Sequence, residues 1–334
     1  MTHAARLADL AFAPVRAALD EARLPGAVLG VLCAGETACR FGGWAQRVPA
    51  PVPMQVDTVF DLASLTKPVF TATAILRLVE QGRVGLDTTL AEIIPDLRQY
   101  DVMGAIERRL TLGQCLSHQT HLPAVEPLYT YGLDPPTLRA HILQRVWTAG
   151  PAVYSDINFL YLGVALERLH GVALGGQDPG VGFTFRPDPA ACAATEHCRW
   201  RDRVLRGEVH DENAFAMGGA AGHAGLFGTA AALLGYAAGL LEGRLLGEAG
   251  TEAIRRRQSA TRTIGWEAAH DGWAGGATCS RDTIGHTGFT GTGLWIDWER
   301  RLAWTLLTNR VHPSRHAETG IQALRRQVGG LVCG

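Results

Sequence analysis

The chain has 334 residues, with 31 lysine plus arginine against 32 aspartate plus glutamate and a formal charge of −1. That balance gives no electrostatic case for a nucleic-acid or anionic-membrane partner, and no apolar stretch approaches the roughly 20 residues of a membrane span. At this length two lobes are the natural expectation.

The N-terminus, Met-Thr-His-Ala-Ala-Arg-Leu-Ala-Asp-Leu, is too polar for a secretory signal. A cytoplasmic protein is therefore expected, or a periplasmic one if a leader has been removed. Leu24 to Ala34 reads as a buried strand, and Gly35-Glu36 as a turn into a second strand, Thr37 to Phe41. A helix is expected from near Ser64 to Gly82, because Pro68 is tolerated only in a first turn and Leu65, Val69, Ala72, Leu76 and Val79 share a face. Thr111 can cap a helix, Thr137 to Trp147 and Asp156 to His170 carry helical patterns, and Thr229 caps the alanine-rich run to Leu241. Between them Gly175 to Pro189, rich in glycine and proline, reads as a long loop over the surface or the cleft. The run Arg255 to Arg257 reads as a solvated helix face. Thr283 to Phe289, Thr292 to Trp298 and Arg301 to Thr308 read as three consecutive strands. A last helix within Ser314 to Val332 places Ile321, Leu324, Val328 and Leu331 on one face.

Two strands at the start and three at the end make one antiparallel sheet with terminal helices covering it. The expected fold is thus α/β in the α+β sense, with residues 1–62 and 281–334 forming a mixed sheet and helix lobe. Residues 63–280 form an inserted, largely helical lobe, and the site lies in the cleft between the two. Seven cysteines, odd in number and scattered, make no disulfide framework. The densest metal-type group, Cys192, His197, Cys198 and His210, lacks the close Cys-x-x-Cys pairing of structural zinc sites, so neither metal nor cofactor is expected.

One short stretch carries chemistry. Lys67 is the only lysine among the 31 basic side chains, and it stands three residues after Ser64 in Asp61-Leu-Ala-Ser-Leu-Thr-Lys-Pro68. Residues three apart on a helix share a face, so the hydroxyl and the amine can meet. A partly buried lysine can lose its proton and act as a base, which arginine cannot do. A start at Ser64 also places its hydroxyl at the positive end of the helix dipole, where a developing oxyanion is favoured.

Two further motifs follow in order, Tyr154-Ser-Asp-Ile-Asn158 before a helix and His286-Thr-Gly-Phe-Thr-Gly291 on a strand. With Ser64-Leu-Thr-Lys67 at these intervals, the chain resembles the serine β-lactamase and penicillin-binding-protein superfamily. It is most similar to the class C branch, which includes D-alanyl-D-alanine carboxypeptidases and many esterases. Leu110 to His118, Val209 to Ala214 and Gly222 to Phe227 also look like family sequence, and the resemblance spans roughly residues 20 to 315.

The resemblance implies a serine hydrolase acting through an acyl-enzyme on Ser64, with a small ester, amide, β-lactam or D-alanyl peptide as substrate. Lys67 and Tyr154 would share the proton handling, and the backbone N–H groups of Ser64 and Phe289 would form the oxyanion hole. Asp156, Asn158, His286, Thr287 and Gly288 would contact or support the substrate. No partner beyond a small molecule is implied, and the oligomeric state is left open. The competing class is a catalytically inactive sensor or binding protein that has kept the fold.

Three departures from the family pattern bear on substrate choice. Asp156 stands where asparagine is frequent; its charge would favour a protonated Lys67 if the two touch, leaving Tyr154 as the base. His286 stands where penicillin-recognising members carry lysine. With an ordinary pKa of about 6.5 it would be mostly neutral at pH 7.5 and mostly cationic at pH 5.5, so uncharged esters are expected to be preferred over carboxylated substrates near neutrality. Arg310 or Arg315, after the final strand, could supply the missing charge. His121 stands where the family's Ser-Gly-Leu-Pro run has glycine.

Overall fold

The computed structural model describes residues 2–334. Thr2 accepts the Ala5 N–H at 3.2 Å and so caps α1 (His3–Asp20), whose buried face is Ala4, Ala8, Ala11, Phe12, Val15 and Ala18. The apolar run then forms β1 (Gly26–Cys33), and Ala34 and Gly35, at φ +53° and +80°, turn the chain into β2 (Glu36–Gln46). β2 continues past Phe41 because Gly26 pairs with Gly43 in the antiparallel register. Two short strands follow, β3 (Val52–Pro53) and β4 (Phe60–Asp61).

The helix expected from Ser64 is present in three pieces: a 3₁₀ turn Ala63–Leu65, a π-helical stretch Lys67–Ala72 and α2 (Thr73–Glu80). Gly82, left-handed at φ +67°, ends it. The connecting lobe holds α3 (Leu90–Ile93), α4 (Leu112–Leu116), α5 (Pro135–Gln144) and α6 (Asp156–His170). Thr111 and Gln114 cap α4 reciprocally, and Gly171 at φ +69° ends α6.

Four short strands come next, β5 (Phe183–Thr184), β6 (Ala194–Cys198), β7 (Arg203–Arg206) and, after α7 (Glu212–Ala216), β8 (Phe227–Gly228). Thr229 caps α8 (Ala230–Leu241) at 3.1 Å, and α9 (Glu248–Arg255) follows. The chain ends with β9 (Glu267–Ala268), β10 (Thr283–Thr287), β11 (Gly293–Asp297), β12 (Leu302–Thr308) and α10 (Ile321–Cys333). Among the described residues no helix is long and apolar enough to cross a membrane.

The main sheet has the order β3-β2-β1-β12-β11-β10-β9 and is antiparallel throughout, so the first and last strands do share one sheet. Alternation along β1 sorts its two faces. Ala27, Leu29 and Val31 pack with Phe12 of α1, Val328 of α10 and the stacked pair Trp295–Trp304, while Val28 and Leu32 join the larger core. Gly30 faces α8, where an added Cβ would stand 2.9 Å from Leu234 Cδ1, so a glycine here lets the helix approach the sheet. The inserted residues thus contribute both a strand, β9, and a covering helix, α8, to the sheet.

Some local expectations change. α10 begins at Ile321, after left-handed Gly320, and buries Val332 in addition to the expected face of Ile321, Leu324 and Val328, against which Leu331 also packs. Gly175 to Pro189 includes β5, which pairs with β8, and none of its residues reaches the cleft.

Candidate active site

The segment leading to Ser64 is bent sharply by Ala63, whose φ of +47° is left-handed. Asp61 holds that bend: one carboxylate oxygen accepts the Ala63 N–H at 2.8 Å and the other the His210 N–H at 2.6 Å. Burial raises the Asp61 pKa, against the lowering effect of those two N–H donors. Ser64 is left facing a cleft of about 480 Å³. Its side chain makes no capping hydrogen bond.

Lys67 lies fully buried behind it, with Nζ 2.9 Å from Ser64 Oγ, 2.8 Å from Asp156 Oδ1 and 3.3 Å from the His223 carbonyl. Burial by itself would push the amine down, but the Asp156 charge, with Tyr154 beside it, outweighs burial and raises its pKa. An opposite charge near 4 Å contributes about 4 kcal/mol at an effective dielectric near 20, on the order of what full burial of an ammonium costs, so the extra neighbours decide the sign. Lys67 is therefore an ammonium ion in this arrangement, as contact with Asp156 led one to expect.

Tyr154 enters from the residues just before α6. Its ring centroid is 4.9 Å from Lys67 Nζ, 4.5 Å from the His118 ring and 5.9 Å from that of His286. His118, which the sequence did not single out, backs the tyrosine: its Nδ1 accepts the Ser155 N–H at 3.0 Å and faces Asn158 Nδ2 at 3.3 Å. Burial, with Arg262 and Lys67 nearby, keeps His118 neutral by pushing its pKa far down. Asn158 is completely buried, bonded to Thr120 and His118, and does not line the cleft. Of the two roles expected of it, contact with the substrate or support, its position behind Tyr154 suits support. His121 has φ +63° and bonds the Gly150 carbonyl through Nδ1 at 2.9 Å, which explains why glycine suits this position.

Across the cleft, β10 and the turn after it dock on the nucleophile segment. The Thr290 and Thr292 hydroxyls donate to the carbonyls of Asp61 at 2.8 Å and Leu62 at 3.0 Å. Gly288 permits this, since an added Cβ would stand 2.6 Å from Leu62 O. Ser64, Thr287, Gly288 and Phe289 all line the cleft. Behind them Arg325, buried in α10, donates to the carbonyls of Gly288 and Thr292 at 3.1 and 2.7 Å. Burial and neighbouring Arg310 bring its pKa down to about 9.

His286 also lines the cleft but is buried, and Nδ1 lies 3.0 Å from the Thr287 carbonyl. Burial first, then Lys67 and Arg262, push its pKa well below the ordinary value. The expected change to a cation on mild acidification is therefore opposed, because burial and the two neighbouring cations favour the neutral His286 ring. Positive charge comes instead from arginines. Arg315 is occupied by Glu196 and Glu212, whereas Arg262 and Arg310 line the cleft with no carboxylate in ion-pair range among the described residues. Arg310 Nε donates to Phe289 O at 2.8 Å, and the Arg262 guanidinium carbon stands 5.1 Å from the Tyr154 ring centroid.

Among the described residues, the metal-type ligand atoms that converge are those of Asp156, Asp211 and His223, within 4.8 Å of one another. Both carboxylates already have partners, Asp156 the Lys67 ammonium and Asp211 the His223 ring at 2.9 Å from Nε2. His210 belongs instead to a network with Glu196, Arg315 and Glu212 at the rim of the cleft.

The sequence matches the family model described as Beta-lactamase over residues 13–328. It is 30% identical over 346 aligned residues to N-acetylmuramyl-L-alanine amidase of Bacillus subtilis (strain 168), covering 87% of this chain and 78% of the relative. It is 28% identical over 312 residues to a putative D-alanyl-D-alanine carboxypeptidase of Escherichia coli (strain K12), covering 78% and 71%. Among solved structures, EstCE1, a hydrolase with promiscuous acyltransferase activity, matches at TM-score 0.75 and 21% identity, over 97% of this chain and 98% of that one. A class C beta lactamase from Rhodobacter sphaeroides matches at TM-score 0.70 and 20% identity, over 97% and 99%. At those identities the two structures speak for the fold alone.

Proposed function

This chain belongs to the β-lactamase family, and on that premise we propose that it is a serine hydrolase forming an acyl-enzyme on Ser64 with a small amide or ester that carries a carboxylate, of the D-alanyl-peptide kind. The observation that carries the reading is the floor of the cleft, where Ser64 Oγ lies 2.9 Å from an enclosed Lys67 ammonium with Tyr154 alongside. Tyr154, beside that cation, serves as the general base that takes the Ser64 proton during attack and returns it to the leaving group. Lys67 holds the two oxygens in place. The N–H groups of Ser64 and Phe289 receive the negative oxygen of the tetrahedral intermediate. A water then attacks the acyl carbon and Tyr154 handles its proton in the same way.

The carboxylate preference rests on Arg262 and Arg310, which line the cleft and face no acidic partner in ion-pair range among the described residues; Arg325, also without one, already donates to the Gly288 and Thr292 carbonyls. It reverses the preference for uncharged esters expected from His286. The relatives named as a muramyl-alanine amidase and a D-alanyl carboxypeptidase agree in kind with such a substrate.

The test combines intact mass with steady-state kinetics on a panel of esters, β-lactams and D-alanyl peptides. Wild type is expected to turn over carboxylated members and to carry a transient acyl group on the Ser64 peptide, absent in Ser64→Ala. Arg310→Ala or Arg262→Ala is expected to raise KM for carboxylated substrates roughly tenfold, the loss of a charge-assisted bond of about 1.5 kcal/mol, and to leave a neutral ester nearly unchanged. A single stoichiometric acylation without turnover would instead favour a binding or sensing protein.

A further inference from the structure

Two of the seven free cysteines touch. Cys333, in the last turn of α10, donates its thiol to Cys279 Sγ at 3.5 Å, and Cys279 donates onward to the Gly275 carbonyl at 2.9 Å. The joint that holds them is backbone against backbone. An added Cβ on Gly329 would stand 1.9 Å from Gly275 O, and one on Gly276 2.8 Å from Gly330 N, so nothing larger than glycine fits between loop and helix. Thr278 Oγ1 donates to Gly330 O at 3.2 Å and Trp273 Nε1 to Gly276 O at 2.7 Å, fixing the loop on the helix end.

Cys333 is buried, but Cys279 is half-buried and opens on a surface cavity of about 740 Å³. Arg257, Arg281 and Arg326 line that cavity with His270, against one acidic side chain, Asp271. Guanidinium groups around a partly exposed cysteine draw in anionic reagents.

We propose that Cys279 and Cys333 form a reversible disulfide, made by an anionic low-molecular-weight disulfide of the glutathione type that enters this cavity. The Cys279 thiolate attacks one sulfur of the reagent, whose S–S bond breaks to release one thiolate and leave a mixed disulfide on Cys279. Cys333 then loses its proton and attacks Cys279 Sγ, closing the protein disulfide and expelling the second thiolate. Two protein thiols are oxidised, the reagent is reduced by two electrons, and the two protons end on its two thiols.

The bond would join two elements that back the cleft. The loop bearing Cys279 runs directly into β10, and α10 carries Arg325, which grips Gly288 O and Thr292 O. The remaining five cysteines stay outside this device.

The experiment treats the full chain with oxidised glutathione, blocks free thiols, and maps the product by mass. Wild type is expected to lose two hydrogens and to yield one cross-linked peptide pair joining Cys279 to Cys333, both reversed by dithiothreitol. Cys333→Ser is expected to accumulate one glutathione on Cys279, and Cys279→Ser to show neither product. The melting temperature of oxidised wild type is expected to rise by a few degrees over the reduced protein, a shift absent in Cys333→Ser. Wild type that forms no Cys279–Cys333 cross-link, or that cross-links other cysteines instead, overturns the proposal.

Discussion

Lys67 Nζ has oxygens of Ser64, Asp156 and His223 around it at 2.9, 2.8 and 3.3 Å, and its side chain is wholly enclosed. A compact ammonium with three rotatable donors fits such a nest; a planar guanidinium with five fixed donors does not. Lys67→Arg is accordingly expected to lose nearly as much kcat as Lys67→Ala, about 10² to 10⁴-fold, despite keeping the charge. Kinetics on an activated ester, with circular dichroism to confirm folding, provide the check. Substantial activity in the arginine variant would mean that positive charge alone, and not the fit of a compact ammonium between these oxygens, is what the reaction needs. At this scale Ser64, Lys67 and Tyr154 were legible because their chemistry is local and ordered along the chain. The electrostatic setting of His286 was not, because desolvation depends on what packs around a ring. Arg262 had no motif to mark it; only its neighbourhood to Tyr154 does so.

The elements matter through how closely they meet. The helix after Ser64 relaxes into a π-helical stretch at Lys67–Ala72, where the Thr73 hydroxyl donates to Pro68 O at 3.0 Å and Thr71 to Gly222 O at 2.7 Å. Such stretches cost hydrogen-bond quality and occur at functional sites. The opposing edge of β10 presses on the same segment at Gly288, where an added Cβ would stand 2.1 Å from Thr292 Oγ1 and 2.6 Å from Leu62 O. Gly288→Ala is therefore expected to push this strand away from Ser64, lowering kcat/KM at least tenfold and stability by about 1 to 3 kcal/mol, the usual cost of overpacking. Urea unfolding and kinetics on one ester measure both, and an unchanged kcat/KM would mean that the Phe289 N–H takes no part in catalysis. Element types were readable from periodicity and caps, as α6 and α8 illustrate. Boundaries were not where a left-handed residue intervened, as at Gly320 before α10.

Over the whole molecule, Glu196 of β6 ties the inserted residues to the segment that follows β12. It accepts from Arg315 Nε at 2.7 Å and lies 3.1 Å from His210 Nε2, and the same arginine reaches Glu212. Burial would raise its carboxyl pKa, but the His210 and Arg315 bonds prevail and bring it down to about 2. A folded pKa below the unfolded one means that this stabilisation is fully present above the ordinary carboxylate range and disappears as pH falls through about 2. The shift corresponds to on the order of 3 kcal/mol. Urea midpoints measured from pH 6 down to 2 are expected to show Glu196→Gln less stable than wild type at pH 6, with the gap closing on acidification. A gap that is constant with pH would remove the charge from the account.

What the chain decides by itself is what is encoded over a few residues: the apolar strand of β1, the capped helices, and a serine and lysine three apart that must share a helical face. What the tertiary structure alone decides is what needs two distant segments in one place. Asp156 meets Lys67, Thr290 meets Asp61, Arg310 meets Phe289 and Cys333 meets Cys279 only after segments separated along the chain have packed together. Charge, pKa and reactivity follow from those meetings, because they fall off over a few ångströms of space and know nothing of separation along the sequence.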